Sequence, residues 1–431
     1  MYYNNSRIFV RKWGETLDIK RIENTLKELN KFSDPGEGIN RLAYTDVERR
    51  ATQYIIDLCE QEGMKVNVDA VGNVIARREG TDPALPAVAF GSHIDSVYEA
   101  GAYDGTVGIV AALEVIRSLN DNDIETEHPL EVIVFACEES ARFGFSTLGS
   151  KAMAGVLEKE DIADLKDKNG ISIQGEFSKY SLNIGEMKQA ARSKEELKVF
   201  IELHIEQGPV LEKEGKQIGI VTGIAGPTRF KLQIQGEASH SGSTPMHYRK
   251  DAFLGAAEIA LALEAVAQSE APRGTVATVG VCDVKPGAMN IIPGMVEMKI
   301  DIRGTSVESK EVIIKALDNA IHQIKMQREL NINRTKMSDD KPINMDGSMI
   351  DSTKETCEKK GLSYRLMPSG AGHDAMNMAQ LSPAALLFIP SKNGLSHNPE
   401  EYTSLDQIAV GTDLLKEEVL KWAQVSKKLV R

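Results

Sequence analysis

Two short apolar runs with a helical pattern between them constrain the fold more than any other feature of the sequence. Residues 87–91 and 131–136 (EVIVFA) are apolar without alternation, and residues 105–119 carry apolar side chains at helical spacing. Uninterrupted apolar strands are typical of parallel sheets that are covered by helices on both faces. The sequence therefore predicts an α/β fold with a mixed, mostly parallel sheet flanked by helices.

The sequence pattern changes at about Gly226, which indicates a second domain. Residues 228–235 alternate like a half-exposed strand, and they are followed by an alanine-rich helix over 251–268, strands within 275–303, a helix over 306–330 and a strand near 333–337. The apolar run 384–389 then resembles the first sheet again. A chain of 431 residues exceeds what one core usually organises. We expect a catalytic domain in two segments, 1–225 and 341–431, and an inserted α+β domain at 226–340.

Charge and composition limit the kinds of molecule that the protein is expected to bind. The net charge is −12, and Lys and Arg form no long run, which argues against nucleic acid. Residues 1–12 lack an apolar run of signal-peptide length, no window approaches the roughly 20 apolar residues of a membrane span, and the four cysteines are far apart. We therefore expect a cytoplasmic protein with reduced thiols that acts on a small molecule. An acidic protein that binds an anion must concentrate positive charge locally, in metals or a few arginines.

Candidate metal ligands follow both buried strands. His93 and Asp104 come after the first strand, with Asp95 placed to accept the second N–H of the imidazole. A lone histidine there would more often be structural. Glu138 and Glu139 come after the second strand, where two adjacent carboxylates are costly without cations, although a solvated loop is the simpler interpretation. One carboxylate could bind a metal while the other transfers protons.

Two further histidines extend this set. His204 lies in ELHIEQG and His397 lies in SHNPE. Each signal is weak by itself, because a histidine in a loop is usually only exposed. Together the candidates supply three imidazoles and at least two carboxylates, a mixture that suits Zn²⁺, Mn²⁺ or Co²⁺ better than Ca²⁺.

Nine segments carry a resemblance to a known family. They are GSHIDSV, GAYDG, EES, ELHIEQG, GEASHSGSTPM, NIIPG, DIRG, SGAGHDA and GLSHNPEE, and they stand in the family's order along nearly the whole chain. The sequence resembles the metal-dependent amidohydrolases of the M20 peptidase superfamily, in the branch of N-carbamoyl-L-amino acid hydrolases, β-ureidopropionase and allantoate amidohydrolase. The resemblance implies a zinc-peptidase-like catalytic domain and an inserted domain that forms a lid and a homodimer.

The resemblance also implies a binuclear site. Two divalent metal ions per subunit, Zn²⁺ or Mn²⁺/Co²⁺, would be bound by His93, Asp104, Glu139, His204 and His397. In this assignment Asp104 bridges the two ions and Glu138 is the general base. An imidazole at His204, where the peptidases of the superfamily usually have a carboxylate, favours the carbamoyl branch.

The substrate residues are likewise implied by the resemblance. His240, Asn290 and Arg303 would reach the substrate from the inserted domain, and Gln207 and the backbone at Gly372 would add contacts. Arg303 would grip a carboxylate, with a surface salt bridge as the alternative. His240 could stabilise an oxyanion. His373 is a secondary candidate, whereas His128 and His322 lie in charged, exposed contexts without a role.

The implied activity is hydrolysis of the carbamoyl C–N bond of an N-carbamoyl-L-amino acid, which gives the amino acid, ammonia and carbon dioxide. Hydrolysis of allantoate or a ureidoglycolate-type compound is the nearest alternative. An aminoacylase or dipeptidase activity is disfavoured by His204. A non-catalytic relative is disfavoured because every implied metal residue and Glu138 are present.

Overall fold

The computed structural model describes residues 17–425, so the residues considered for a signal peptide lie outside the described part. The chain forms two compact units. The first runs from the start of the described residues to Thr222, continues over Met345–Met367 and resumes at His373. The second comprises Gly223–Asn344 and the short segment Pro368–Gly372. The predicted insertion, 226–340, lies inside the second unit, and the sequence analysis did not assign Pro368–Gly372 to it.

The first unit begins with alternating helices and strands. Its helices up to the second unit are α1 (Ile19–Leu29), α2 (Asp46–Gln61), α3 (Thr106–Asp121), α4 (Leu148–Met153), α5 (Lys159–Ile162), α6 (Ile173–Lys179) and α7 (Val210–Glu214). Its strands are β1 (Lys65–Val68), β2 (Val74–Arg78), β3 (Ala87–His93), β4 (Leu130–Phe135), β5 (Leu197–Ile205) and β6 (Ile218–Ile224).

The second unit contains β7 (Gly226–Gln235), α8 (Ala252–Glu270), β8 (Val276–Lys285), β9 (Met295–Gly304), α9 (Val307–Gln327), β10 (Asn331–Asp339) and β11 (Ile343–Asn344). The chain then continues with α10 (Gly347–Lys360), β12 (Tyr364–Ser369), α11 (Ala375–Met378), β13 (Ala384–Ile389) and α12 (Leu405–Ala423).

The main sheet has a parallel centre, which confirms the predicted fold class. Within the first unit its strand order runs β1-β2-β4-β3-β5-β13-β6, and β12 also pairs with β6. The central strands β4, β3, β5 and β13 pair in parallel, and β1, β2 and β6 add antiparallel edges. β3, β4 and β13 are buried along their whole length, as their unbroken apolar sequences predict. Helices α3 and α12 pack on this sheet and complete the core.

The second unit is an antiparallel sheet with two helices. The strand order is β10-β7-β9-β8, and every neighbouring pair is antiparallel. Alternate residues of β7 are buried, including Phe230, Leu232 and Ile234, and they form a core with the inner faces of α8 and α9. This separate core explains why the pattern of the sequence changes near Gly226.

Helix α8 qualifies, by length and composition alone, as a membrane span. The segment Ala252–Arg273 is the one stretch in the described part of the chain that does so, although the sequence analysis expected none. Its residues Ala256, Ile259 and Leu263 are buried in the core of the second unit. The apolar character of α8 is therefore explained in part by packing within the protein.

Candidate metal centre

The parallel pairing of β3 and β5 brings two histidines to one edge of the sheet. His93 is the last residue of β3, and His204 is the penultimate residue of β5. Carboxyl ends of parallel strands meet at the same edge, where open α/β sheets place their sites. The imidazole ring centroids lie 5.8 Å apart in a stacked arrangement, and both side chains are buried.

Asp104 lies at the centre of the site. Its Oδ1 atom is 3.0 Å from Nε2 of His204 and 3.6 Å from Nε2 of His93. Its Oδ2 atom is 3.2 Å from Nε2 of His397, which in turn is 3.3 Å from Oε1 of Glu139. The five side chains thus form two candidate metal-ligand groups, each with its donor atoms within 4.8 Å of one another, and Asp104 belongs to both.

Backbone carbonyls orient the two buried imidazoles. Nδ1 of His93 lies 2.9 Å from the carbonyl oxygen of Asp95, and Nδ1 of His204 lies 2.9 Å from that of Ile205. Because a carbonyl oxygen only accepts, Nδ1 carries a proton in both rings, and Nε2 is the atom that faces Asp104. Burial acts to lower the pKa of both imidazoles, but hydrogen bonds to Asp104 raise it. Imidazole nitrogens grouped with carboxylates fit a transition-metal cation, which would displace the Nε2 protons when it binds.

Asp95 acts differently from the sequence expectation. Its carboxylate is 3.7 Å from Nδ1 of His93, and its backbone carbonyl takes the close contact instead. The carboxylate oxygens accept the backbone N–H groups of Glu138 (3.1 Å) and Glu139 (3.0 Å). Asp95, which follows β3, therefore fixes the segment after β4 that carries the two glutamates.

The electrostatics of the site reflect several carboxylates in one buried space. Burial raises the pKa of Glu138 well above its usual range, and Glu139 adds to this effect. Burial also acts to raise the pKa of Asp104, but hydrogen bonds from His204, His397 and His93 hold it well below its usual range. Asp104 and Glu139 raise the pKa of His397 to about 10, so a cation that binds here must displace a proton.

Gln207 contacts the centre directly. Its side-chain Nε2 donates to Oδ2 of Asp104 at 2.9 Å, and its Oε1 is buried without a hydrogen-bond partner in the described part of the chain. Gln207 and His397 both have a left-handed backbone, with φ values of 56° and 53°. Such non-glycine conformations cost energy and cluster at functional sites. An orphaned acceptor beside Asp104 is consistent with a ligand that donates a hydrogen bond.

Several buried polar residues around the centre were not identified from the sequence. Glu202 accepts from Ser92 (2.9 Å) and from the backbone of Ala375 (2.9 Å), behind the two imidazoles. The sequence signal for Glu202 was a charged residue between apolar neighbours in β5. Glu401 and Ser396 lie beside Asp104, and the only signal for Glu401 was the acidic pair after His397.

The remaining histidines divide into buried and exposed ones. His373 is buried, its ring centroid is 4.5 Å from that of His204, and its Nε2 has no hydrogen-bond partner within residues 17–425. His322 is exposed, as expected. The expectation that His128 is exposed was wrong, because this side chain is buried between the carbonyl of Pro86 (2.7 Å) and the amine of Lys198 (2.8 Å).

In the second unit, His240 and Asn290 lie together. Nδ1 of His240 accepts the backbone N–H groups of Gly242 (3.0 Å) and Ser243 (3.2 Å). Ser241 donates its backbone N–H to the carbonyl of Asn290 at 3.0 Å. Because Nδ1 is an acceptor, a neutral His240 carries its proton on Nε2, where it is free to donate to a substrate oxygen.

Arg303 is held at the end of β9 in the same unit. Its Nε and Nη2 atoms donate to the carboxylate of Asp301 (3.2 and 3.0 Å), and Nη1 donates to the carbonyl of Gly370 (3.2 Å). Gly372 is exposed two residues further along that loop. The guanidinium is about one-third exposed, so it is oriented by Asp301 and still accessible to an anion.

The mostly parallel sheet and the grouped histidine and carboxylate ligands are typical of metal-dependent hydrolases. The profile of Peptidase family M20/M25/M40 matches residues 89–421. The chain belongs to this family, which confirms the resemblance seen in the sequence. It is an amidohydrolase, a hydrolase of carbon–nitrogen bonds other than peptide bonds.

Known relatives cover nearly the whole chain. An uncharacterized hydrolase of Haemophilus influenzae is 44% identical over 95% of this chain and 100% of its own length. An N-carbamoyl-L-amino-acid amidohydrolase of Paenarthrobacter aurescens is 39% identical, with 92% and 96% covered. An allantoate amidohydrolase of Escherichia coli is 34% identical, with 91% and 95% covered. The crystal structure of a hydantoinase/carbamoylase family amidase from Burkholderia multivorans has a TM-score of 0.89 at 35% identity, with 95% and 99% covered.

Proposed function

We propose that this chain hydrolyses the carbamoyl C–N bond of N-carbamoyl-L-amino acids with two divalent cations, Zn²⁺ or Mn²⁺/Co²⁺. The observation that carries the proposal is the position of Asp104. One of its carboxylate oxygens faces His93 and His204, and the other faces His397. A carboxylate that presents its two oxygens to two ligand groups is suited to bridge two ions.

The assigned ligands are His93, Asp104, Glu139, His204 and His397. Bound cations of this kind would activate a water molecule and polarise the carbonyl of the substrate. Glu138 is the proposed general base, because its carboxylate is buried beside His93, with Oε2 at 3.9 Å from Nε2, and is not needed as a ligand. It would take the proton of the attacking water and deliver it to the leaving nitrogen.

Residues of the second unit are proposed to bind the substrate. Arg303 offers a fixed guanidinium for the carboxylate, which an acidic protein needs in order to hold an anion. His240 presents an Nε2 donor for the developing oxyanion, and Asn290 lies beside it. Gln207 and the backbone at Gly372 are proposed to complete the contacts. The second unit would then act as a lid on the first.

A substrate panel tests the proposed reaction. Metal-free protein is reconstituted with Zn²⁺, Mn²⁺ or Co²⁺ and assayed for ammonia release from N-carbamoyl-L-amino acids and from allantoate, and for amino-acid release from N-acetyl amino acids and dipeptides. We expect the largest kcat/KM with an N-carbamoyl-L-amino acid. A larger value for any other class would refute the substrate assignment, and full activity without metal would refute the metal assignment.

Hydrolysis of allantoate is the second candidate. It is favoured by the relative of that name, which matches 91% of this chain. Allantoate carries both a carboxylate and ureido groups, so the same cations and Arg303 would serve. The lower identity of this relative, 34% against 39%, leads us to prefer the carbamoyl amino acid.

We also propose a cytoplasmic homodimer formed through the second unit. The outer edge of β8 is unpaired in the sheet as described, and the neighbouring helix α8 exposes Phe253, Leu254 and Leu261. Open strand edges and clustered apolar side chains favour association with another chain. The mass measured by light scattering tests this proposal, and a monomer at micromolar concentration would refute it.

A further inference from the structure

Glu401 is a buried carboxylate that belongs to neither candidate ligand group. It is 4% exposed. Its Oε1 atom accepts the backbone N–H groups of Tyr103 and Asp104, both at 3.0 Å, and its Oε2 atom accepts the hydroxyl of Ser396 at 2.8 Å. A carboxylate in this position joins the segment before α3, which carries Asp104, to the segment before α12, which carries His397.

The hydroxyl of Ser396 lies between Glu401 and Asp104 and contacts both carboxylates. Its Oγ lies 2.8 Å from Glu401 but 3.2 Å from Oδ2 of Asp104, and it has one proton to donate. The shorter contact to Glu401 takes that proton. The Oδ2 atom of Asp104 therefore keeps lone-pair capacity on the side that faces His397, as a metal ligand requires.

The backbone at Gly101 lies very close to the side chain of Glu401. A Cβ atom at Gly101 would lie 2.2 Å from Cβ of Glu401 and 2.4 Å from its Oε1. Glycine at position 101 therefore lets the loop that precedes Asp104 pass directly over the glutamate. Glu401 is fixed at its stem by this contact and at its tip by three hydrogen bonds.

We propose that Glu401 is a positioning residue that fixes Asp104 and the His397 segment relative to each other, and so sets the affinity of the metal position next to His397. This inference rests on the proposed pair of ions. Glutamine at position 401 has nearly the same shape, but its amide would donate to Ser396. The hydroxyl proton of Ser396 would then turn to Oδ2 of Asp104 and compete with the cation for that oxygen.

The test compares Glu401→Gln with Glu400→Gln in the full-length protein. Glu400 is the adjacent, exposed glutamate, so its variant removes the same charge without entering the site. Mn²⁺ binding to metal-free protein is measured by calorimetry and by competition with a chelator. Because loss of an outer partner of a metal ligand costs about 10- to 100-fold in affinity, we expect one of two ions to bind Glu401→Gln that much more weakly. The other ion should change by less than about threefold.

Two results would overturn the inference. One is that Glu401→Gln binds both ions as tightly as Glu400→Gln does, and the other is that both ions weaken equally. If Glu401→Gln does not fold, as judged by circular dichroism, Ser396→Ala replaces it, because this variant breaks the hydrogen bond that joins Glu401 to the His397 segment. One of the two ions should then bind several-fold more weakly, and unchanged affinity for both ions would overturn the inference. Wild-type protein that binds fewer than two ions would instead refute the proposed ion pair, and with it the inference. The substrate panel is independent of all these measurements.

Discussion

Glu48 should make the stability of the protein fall as the pH rises, and Glu48→Gln should remove that dependence. The residue lies in the first turn of α2, where Thr45 caps the helix by accepting the backbone N–H of Glu48. Burial raises the pKa of the Glu48 carboxyl from 4.5 to about 7, against a hydrogen bond from Thr52 that lowers it. The negative charge of Asp95 raises it further.

The raised pKa of Glu48 determines how the stability of the protein changes with pH. The folded protein holds the proton of Glu48 more tightly than the unfolded chain does, so the stabilising contribution is complete below pH 4.5. It is lost as the pH rises through about 7. The full shift corresponds to about 3 kcal/mol. Because Glu48 is only partly buried and solvent screens its charge, we expect about 2 kcal/mol.

Urea unfolding of the metal-free protein at pH 5 and at pH 8 measures this effect. Glu48→Gln should resemble the wild type at pH 5 and should be more stable by about 2 kcal/mol at pH 8. Its amide oxygen can still accept from Thr52, so the local hydrogen bond is kept. Glu60→Gln is the control, because Glu60 is an exposed glutamate on the same helix. A difference between wild type and Glu48→Gln that is the same at both pH values would refute the reasoning.

Three further predictions concern the site and the proposed interface. Glu138→Gln should retain both metal ions, measured by elemental analysis, but lose about 10²- to 10⁴-fold in kcat, because it cannot accept a proton. Arg303→Lys should raise KM by about tenfold or more with little change in kcat, measured by steady-state kinetics, since lysine cannot form a bidentate contact. Leu261→Asp should shift the mass measured by light scattering toward the monomer, because Leu261 is 65% exposed on α8.

The sequence predicted the elements of the central sheet well because their signals are local. The strand at 384–389 was predicted with its observed bounds, and the runs at 87–91 and 131–136 were correct to within two residues. Each is an apolar run long enough to be buried on both faces, so its neighbours have little influence on its structure. The short segment Pro368–Gly372 could not be assigned to the second unit, because its position depends on tertiary contacts and not on its own pattern.

The candidate ligands were predicted for a different reason. Residues that follow buried parallel strands converge by geometry, and this applies to His93 and to Glu139. His397 lies in an irregular loop, where its own sequence signal is weak, and the resemblance to a family was needed to assign it as a ligand. The supporting contacts of Asp95 and Glu401 could not be predicted, because each is a hydrogen bond to a backbone N–H distant in sequence. Sequence patterns report which side chains are unusual, but not which backbone groups they will meet.

Gly105 gives the last prediction, since it shows how backbone shape controls the metal position. Its φ is +66°, it precedes α3, and a Cβ atom there would lie 2.5 Å from Cε1 and Nε2 of His93. Gly105→Ala should therefore displace the imidazole and weaken Mn²⁺ binding by tenfold or more, in addition to about 1 kcal/mol of backbone strain. Gly170→Ala is the matched control, because Gly170 has a φ of +80° and an added Cβ there would meet no atom of the described residues within 4 Å. Both variants should lose similar stability from strain, but only Gly105→Ala should lose metal affinity. Equal Mn²⁺ affinity in the two variants would mean that the contact with His93 does not position this ligand.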